Sequence, residues 1–263
     1  SMSELYTIRP ICTGYIRTSK ANCNYHESVH KYYDIAGYVD APIVVFLVEG
    51  NGHKILVDTG MSTTEIANML HIKGSYQPEG YAIQDQLKKI GIEPSEVDMI
   101  ILTHLHWDHY YNIDKFPNAK IYVQKKEWDF SHNPTPTYYR IYEHPAWNLT
   151  PQYAGIEDQF EFVDGEVEIV PGINVYPTPG HSVGHQNVMI DTKDGTYHIC
   201  GDMIFNYDNL DAHEDIAYEV TPPSRYQNLP AWWESAIDLK ARAKELKFIL
   251  PCHDKKIEEM YKS

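Results

Sequence analysis

Long apolar runs are missing from this 263-residue chain: no stretch of about 18 apolar residues occurs, so no membrane-spanning helix is expected. The N-terminal region lacks a basic segment followed by an apolar one, which argues against a secretory leader and for a cytoplasmic protein. Ser1-Met2 reads as a vector remnant ahead of the natural start. Cysteine is scarce. The four present (Cys12, Cys23, Cys200 and Cys252) show no CxxC spacing and no dense framework, which points to reduced thiols rather than disulfides. Basic residues are few as well, 22 against 37 acidic ones. The resulting formal charge of -15 argues against a nucleic-acid partner, because a polyanion would be repelled. Internal repeats and low-complexity linkers are also absent, so one domain over residues 1–263 is the simplest expectation.

What is present suffices for a substantial core, with 43% apolar residues. Pro42–Leu47 and His53–Val57 read as strands joined by a hairpin at Gly50-Asn51-Gly52. Helical periodicity follows at Thr63–Leu70 and at Ala82–Ile90, the latter stopped by Gly91 and Pro94. Asp98–Leu102 has the continuous apolar character of a buried strand, Ala119–Val123 reads as another, and Lys125–Phe130 as a short helix. Ser131–Gly155 is different: prolines and aromatics without a clean period mark an irregular insertion or lid, either lining a pocket or covering surface. Strands are then expected at Phe160–Val163, Glu166–Val170, Ile173–Tyr176, Gln186–Asp191 and Tyr197–Cys200. A helix near Ala231–Leu246 and a strand Phe248–Leu250 close the chain. The order lacks regular βαβ alternation, which favours two packed sheets flanked by helices over a doubly wound sheet.

The chemistry concentrates in Thr103-His104-Leu105-His106-Trp107-Asp108-His109. Histidines at i, i+2 and i+5 cannot share one helix face. A loop leaving a strand end can present them, with His104 and His106 pointing one way and Asp108 with His109 another. That arrangement suggests two adjacent metal positions. Two zinc ions need more donors than these four side chains supply. His181, Asp202 and His253 each follow a strand-like run at a turn and would complete both shells, with one carboxylate shared. His185 and Asp58 read as hydrogen-bond partners of ligands rather than as ligands. Cys200 and Cys252, next to candidate ligands, read as small buried residues ending strands. Histidines 53, 71, 132, 144, 198 and 213 lack a motif and read as solvated or packed.

The ordered set H-x-H-x-D-H, T-P-G-H-S-x-G-H, G-D and a late C-H-D resembles the metallo-β-lactamase superfamily, from Pro42 to about Asp254. Leu56-Val57-Asp58-Thr59-Gly60 resembles its early motif. The His-Leu-His-Trp-Asp-His run and Thr-Pro-Gly-His-Ser-Val-Gly-His-Gln are most similar to the N-acyl homoserine lactone lactonases. The resemblance implies an α/β (α+β) fold, a four-layer αββα sandwich of two mixed sheets flanked by helices. It implies that His104, His106 and His181 bind one divalent metal, Asp108, His109 and His253 a second, and that Asp202 bridges them. Zinc fits, as do iron, manganese and cobalt. The expected activity is hydrolysis of a small-molecule lactone or ester by a hydroxide shared between the metals. Asp108 is the candidate proton carrier. Where those lactonases usually have a tyrosine, three residues after the bridging Asp, this chain has Phe205; Tyr207 is the nearby candidate phenol. Tyr110 and Tyr111 replace the small residues that commonly follow the histidine run, and so could narrow the pocket. Same-fold alternatives are hydrolysis of a phosphodiester, a thioester or another ester. Little chain follows His253 for a thioesterase's helical region, and the acidic charge disfavours an RNA nuclease. A metal-binding ligand sensor that has lost catalysis is the alternative outside enzymes.

Overall fold

A computed structural model of the chain describes residues 5–24 and 26–260; Ser1-Met2, read as a vector remnant, lies outside them. Ile43–Val48 are all buried because their strand is covered on both faces. Val44, Phe46 and Val48 pack into the core between the sheets, while Val45 and Leu47 pack into a second core on the opposite face. The alternation follows from the period of two along a strand, and each such buried side chain contributes about 1.5–3 kcal/mol by leaving water.

The first sheet contains β1 (Thr7–Ser19), β2 (Tyr38–Gly50), β3 (His53–Val57), β4 (Met99–Ile101), β5 (Lys120–Gln124) and β6 (Phe160–Val163), in that spatial order. β1, β2 and β3 pair antiparallel, and β3 to β6 pair parallel. The second sheet runs β11 (Ile249–Leu250), β10 (Gly195–Ile199), β9 (Gln186–Thr192), β8 (Ile173–Pro177) and β7 (Val167–Val170). Only its β10–β11 pair is parallel. Both sheets are therefore mixed.

The helices are α1 (Lys20–Asn24), α2 (Thr64–Ile66), α3 (Ile83–Lys89), α4 (Lys125–His132), α5 (Leu229–Ala243) and α6 (Lys255–Met260). α3 packs Ile83 and Leu87 on the outer face of the first sheet. α5 packs Trp232, Ala236, Leu239 and Ala243 over Cys200 and Ile249, outside the second sheet. The layers are thus helix, sheet, sheet, helix, the expected sandwich. Among the described residues, no helix is long and apolar enough to cross a membrane.

Most expected elements appear within a few residues, including the hairpin, where Asn51 and Gly52 both take positive φ as a two-residue turn requires. Three features differ. β1 was not expected, since Pro10 and Gly14 interrupt its apolar pattern; as an edge strand whose one strand neighbour is β2, with only a single bridge from Tyr15 to Tyr76 on its other side, it tolerates both, with a bulge between Cys12 and Gly14. The helix expected at Thr63–Leu70 starts as α2, capped by Thr63 Oγ1, and widens into a π turn over Ala67–His71. α1 and α6 were also unforeseen.

One glycine links the second sheet's outer helix to the candidate site. Gly180, just before His181, has φ +147, and a Cβ there would lie 2.4 Å from Trp232 Cα. Only a residue without a Cβ lets α5 approach this loop. Gly180→Ala is expected to cost about 2–4 kcal/mol, from strain at positive φ and from the backbone collision. Urea unfolding of the two proteins measures the difference.

Candidate metal centre

β4 ends at Ile101, and the chain passes through Leu102 into the Thr103–His109 loop. His181 lies beyond the end of β8, Asp202 beyond β10 and His253 beyond β11. Four strands drawn from two sheets thus deliver their C-terminal loops to one edge of the sandwich. Gly201 permits the last turn before Asp202: its φ is +50, and a Cβ would meet Thr103 Oγ1 at 2.6 Å and His185 Nε2 at 2.8 Å.

The side chains form two groups that share Asp202. Ligand atoms of His104, His106, His181 and Asp202 lie within 4.8 Å of one another, as do those of His109, Asp202, Cys252 and His253. Asp202 Oδ2 is 3.0 Å from His109 Nε2, 3.1 Å from His181 Nε2 and 3.6 Å from His104 Nε2; its Oδ1 is 2.7 Å from His253 Nε2. Asp108 Oδ2 lies 3.5 Å from His109 Nε2 and 4.0 Å from His253 Nε2, beside the second group. All seven sequence candidates for metal binding are therefore together. All are buried.

A divalent cation suits this donor set. His104 Nε2 and His109 Nε2 are buried and complete no hydrogen bond, despite the nearby carboxylate. Such orphaned acceptors are costly unless something occupies the space between them. The opposite ring nitrogens explain their orientation. Thr103 Oγ1 donates to Asp58 Oδ2 at 2.8 Å, so the 2.9 Å contact with His104 Nδ1 has the imidazole donating. His109 Nδ1 donates to Asp58 Oδ2 at 2.9 Å, His181 Nδ1 to the Arg225 carbonyl at 3.2 Å and His253 Nδ1 to the Pro42 carbonyl at 2.8 Å. Each ring then turns its other nitrogen toward the centre, the orientation that metal-binding histidines adopt.

His185 acts one step further out. Its Nε2 accepts from the Asp202 backbone N–H at 3.1 Å, which leaves Nδ1 to donate to Thr178 Oγ1 at 2.8 Å. Asp58 behaves as the sequence suggested, accepting from Thr103 N and Oγ1 and from His109.

The electrostatics divide the histidines. Burial, then neighbouring imidazoles, holds His104 and His106 well below the usual histidine range, so both are neutral donors. Burial also pushes down on His109 and His253, but Asp202 and Asp108 outweigh it and hold both above that range. Asp202, raised by burial, is carried well below the carboxylate range by His109, His253 and His181.

Other expectations are corrected. Tyr207 is not brought to the cluster: its hydroxyl donates to the Ile249 carbonyl at 2.6 Å, and the ring packs among core residues. Phe205 does line the cavity, edge-on to His181 and His253. Tyr110 is buried in the outer core and Tyr111 lines a different depression, so neither narrows the cavity. Cys252 is more than packing: its thiol lies 3.0 Å from Asp202 Oδ1 and 3.1 Å from the Gly201 carbonyl. Burial, reinforced by Asp202, keeps it protonated as a donor. Cys200 is simply buried in the apolar cluster under α5.

The insertion is tied to the site at two points. Tyr142 OH donates to Glu127 Oε2, and Glu143 binds His71 Nε2 at 3.2 Å and Gln152 Nε2 at 2.6 Å, with His71 stacked on Trp107. Tyr138, Arg140, Ile141 and Trp147 then line the cavity's outer arm, which makes the insertion a pocket wall.

A family model described as the metallo-beta-lactamase superfamily matches residues 39–253. The chain belongs to this superfamily. This member is 30% identical over 176 residues to an N-acyl homoserine lactonase of a Bacillus species, an alignment covering 64% of this chain and 66% of the relative. It thus spans just under two thirds of that relative's length. The AttM N-acyl homoserine lactonase of Rhizobium radiobacter is 25% identical over 191 residues, covering 66% of this chain and 69% of the relative. Among solved structures, one of an N-acyl homoserine lactone hydrolase with N-hexanoyl-L-homoserine at its catalytic metal center matches with TM-score 0.73 and 26% identity. That match covers 98% of this chain and 97% of the other, and the two mixed sheets with flanking helices are the superfamily's fold.

The residue that the sequence reading missed is Glu127, on α4. It is fully buried and accepts from Leu105 N at 3.1 Å, Tyr142 OH at 2.9 Å, Ser182 Oγ at 2.8 Å and Gly184 N at 2.9 Å. One carboxylate thereby joins the loop of His104 and His106 to the loop of His181. In sequence it is only an acid in the first turn of a short helix, where any acid is favourable. Burial raises its pKa against those four donors. Glu127→Gln keeps the volume but turns an amide nitrogen toward two of the donors. A loss of about 2–4 kcal/mol in urea unfolding is expected.

Proposed function

We propose that this chain is a metal-dependent hydrolase of the lactonase type, opening a small-molecule lactone or ester at a site of two divalent cations, zinc being the expected metal. The observation that carries this reading is the pair of donor groups sharing Asp202 beneath an open cavity, in a chain of this superfamily. His104, His106 and His181 would hold one cation, Asp108, His109 and His253 the other, and Asp202 both. The relatives this chain matches include N-acyl homoserine lactonases, and a similar solved structure is a quorum-quenching N-acyl homoserine lactone lactonase, which supports a lactone and a role in quenching quorum signals. Four free thiols fit a reducing cytoplasm.

When bound, such cations lower the pKa of a coordinated water and polarise a carbonyl oxygen. The protein contributes fixed geometry. Asp58, Thr103 and the Arg225 and Pro42 carbonyls hold four imidazoles by their far nitrogens, so little reorganisation is needed. Asp108 lines the cavity and carries the proton taken from water to the leaving alkoxide oxygen. Phe205 offers no hydroxyl beside it, so no phenol from that position assists the carbonyl.

The deciding experiment joins metal analysis of the purified protein to a panel of lactones, aryl esters and phosphodiesters. About two equivalents of metal and lactone opening, followed by proton release, are expected. Cleaved phosphodiesters with untouched lactones would replace the substrate class. Asp108→Asn should lower kcat by at least about 100-fold; full activity with both metals retained would remove its proton-carrying role.

Metal loading should depend on pH with a definite sign. His109 and His253 are held above the usual histidine range, so each keeps a proton to higher pH and a cation must displace it. Apparent affinity is expected to rise with pH, by about tenfold per unit for each displaced proton, until both rings are neutral. Zinc titrations at several pH values, with an indicator for released protons, test this.

A further inference from the structure

The cavity over the cluster has an outer arm whose charge runs against the composition of the chain. Acids outnumber bases 37 to 22 overall, yet no aspartate or glutamate lines this arm, while Arg140 from the insertion and Arg225 from the loop before α5 both do. Among the described residues, the arginine ion pairs are made by Arg17 and Arg242, not by these two. Glu143, the acid nearest Arg140 in sequence, is committed to His71 and Gln152. Arg140 lies over the Trp147 ring, 5.3 Å from its centroid, which keeps the cation at the arm's aromatic wall. Arg225 lines both the inner and the outer arm, and its carbonyl is the acceptor for His181 Nδ1. The loop bearing this guanidinium is therefore tied to the metal cluster itself.

A guanidinium does not lose its proton, so these charges persist at any working pH. A plain alkyl chain laid along the arm would strip water from two cations and give nothing back. A carboxylate would answer both, since its oxygens match the planar donor fork.

We propose that the outer arm binds a carboxylate on the part of the substrate remote from the cleaved bond. The preferred substrates are then lactones or esters carrying an anionic side chain, rather than those with a plain alkyl one. Tyr138 and Trp147 would pack the spacer between the two ends. This inference rests on the hydrolase reading for what happens at the metals, but not for what binds in the arm.

The test uses the zinc-loaded protein and two acids of equal length, adipate and hexanoate, titrated by the fluorescence of Trp107 and Trp147, both of which line the arm. Either acid can place one carboxylate at the metals; only adipate has a second for the arginines. Adipate should bind on the order of tenfold more tightly, with the advantage shrinking at high salt because both guanidiniums are exposed. In R140Q/R225Q the advantage should fall below about twofold. Equal binding of the two acids by the unaltered protein, or an advantage that R140Q/R225Q retains, overturns the proposal. A parallel comparison of kcat/KM for a lactone with and without a terminal carboxylate should show the same preference. The two readings fail separately: adipate selectivity without turnover of any lactone, ester or phosphodiester overturns the hydrolase, and turnover without adipate selectivity overturns the anion arm.

Discussion

The structure turns on one buried carboxylate, Asp202, and on the four imidazoles gathered around it. A carboxylate at 4% exposure is costly to ionise without compensating charge. His109, His253 and His181 supply that compensation and keep Asp202 ionised. The cost of leaving it unpaired is what requires loops from β4, β8, β10 and β11 to end at one place. It also explains the glycines there: Gly180 and Gly201 permit approaches that any Cβ would block.

Around this centre stands a ring of further buried acids, each with a mechanical role. Asp58 orients His109 directly and His104 through Thr103. Glu127 fastens the first histidine loop to the loop of His181 and to Tyr142. Glu143 anchors the insertion to His71, which stacks on Trp107 inside the histidine motif. Wall and floor of the cavity are thus held by the same class of contact, carboxylates fully occupied by local donors. Occupied carboxylates do not attract ligands, and so the unpaired charges facing the outer arm are those of Arg140 and Arg225. An acidic protein can in this way present a cationic pocket.

Strands buried on both faces were legible as continuous apolar runs, and β2 and β4 are the clearest cases. Turn chemistry located the hairpin at Asn51-Gly52. β1 was not legible because an edge strand is solvated on one side and tolerates Pro10 and a bulge. The His104–His109 motif and its distant partners were legible because each combines a ligand-type residue with a turn after a strand. Glu127 was not, since its function lies in who donates to it, and those donors are 15 to 57 residues away. Tyr207 shows the converse. Its position two residues beyond Phe205 suggested a reach into the cavity that the Ile249 carbonyl claims instead.

By itself the sequence determined the residue types that can bind metal, their order, and the layered fold that gathers them, because periodicity and turn signals are local properties. Tertiary structure alone decided which nitrogen of each histidine faces the centre, since that depends on the acceptor behind the ring. It also decided that Cys252 points its thiol at Asp202 and that Tyr110 is core rather than pocket. These are facts about which distant side chains meet, and they are settled by packing, which no local pattern along the chain encodes.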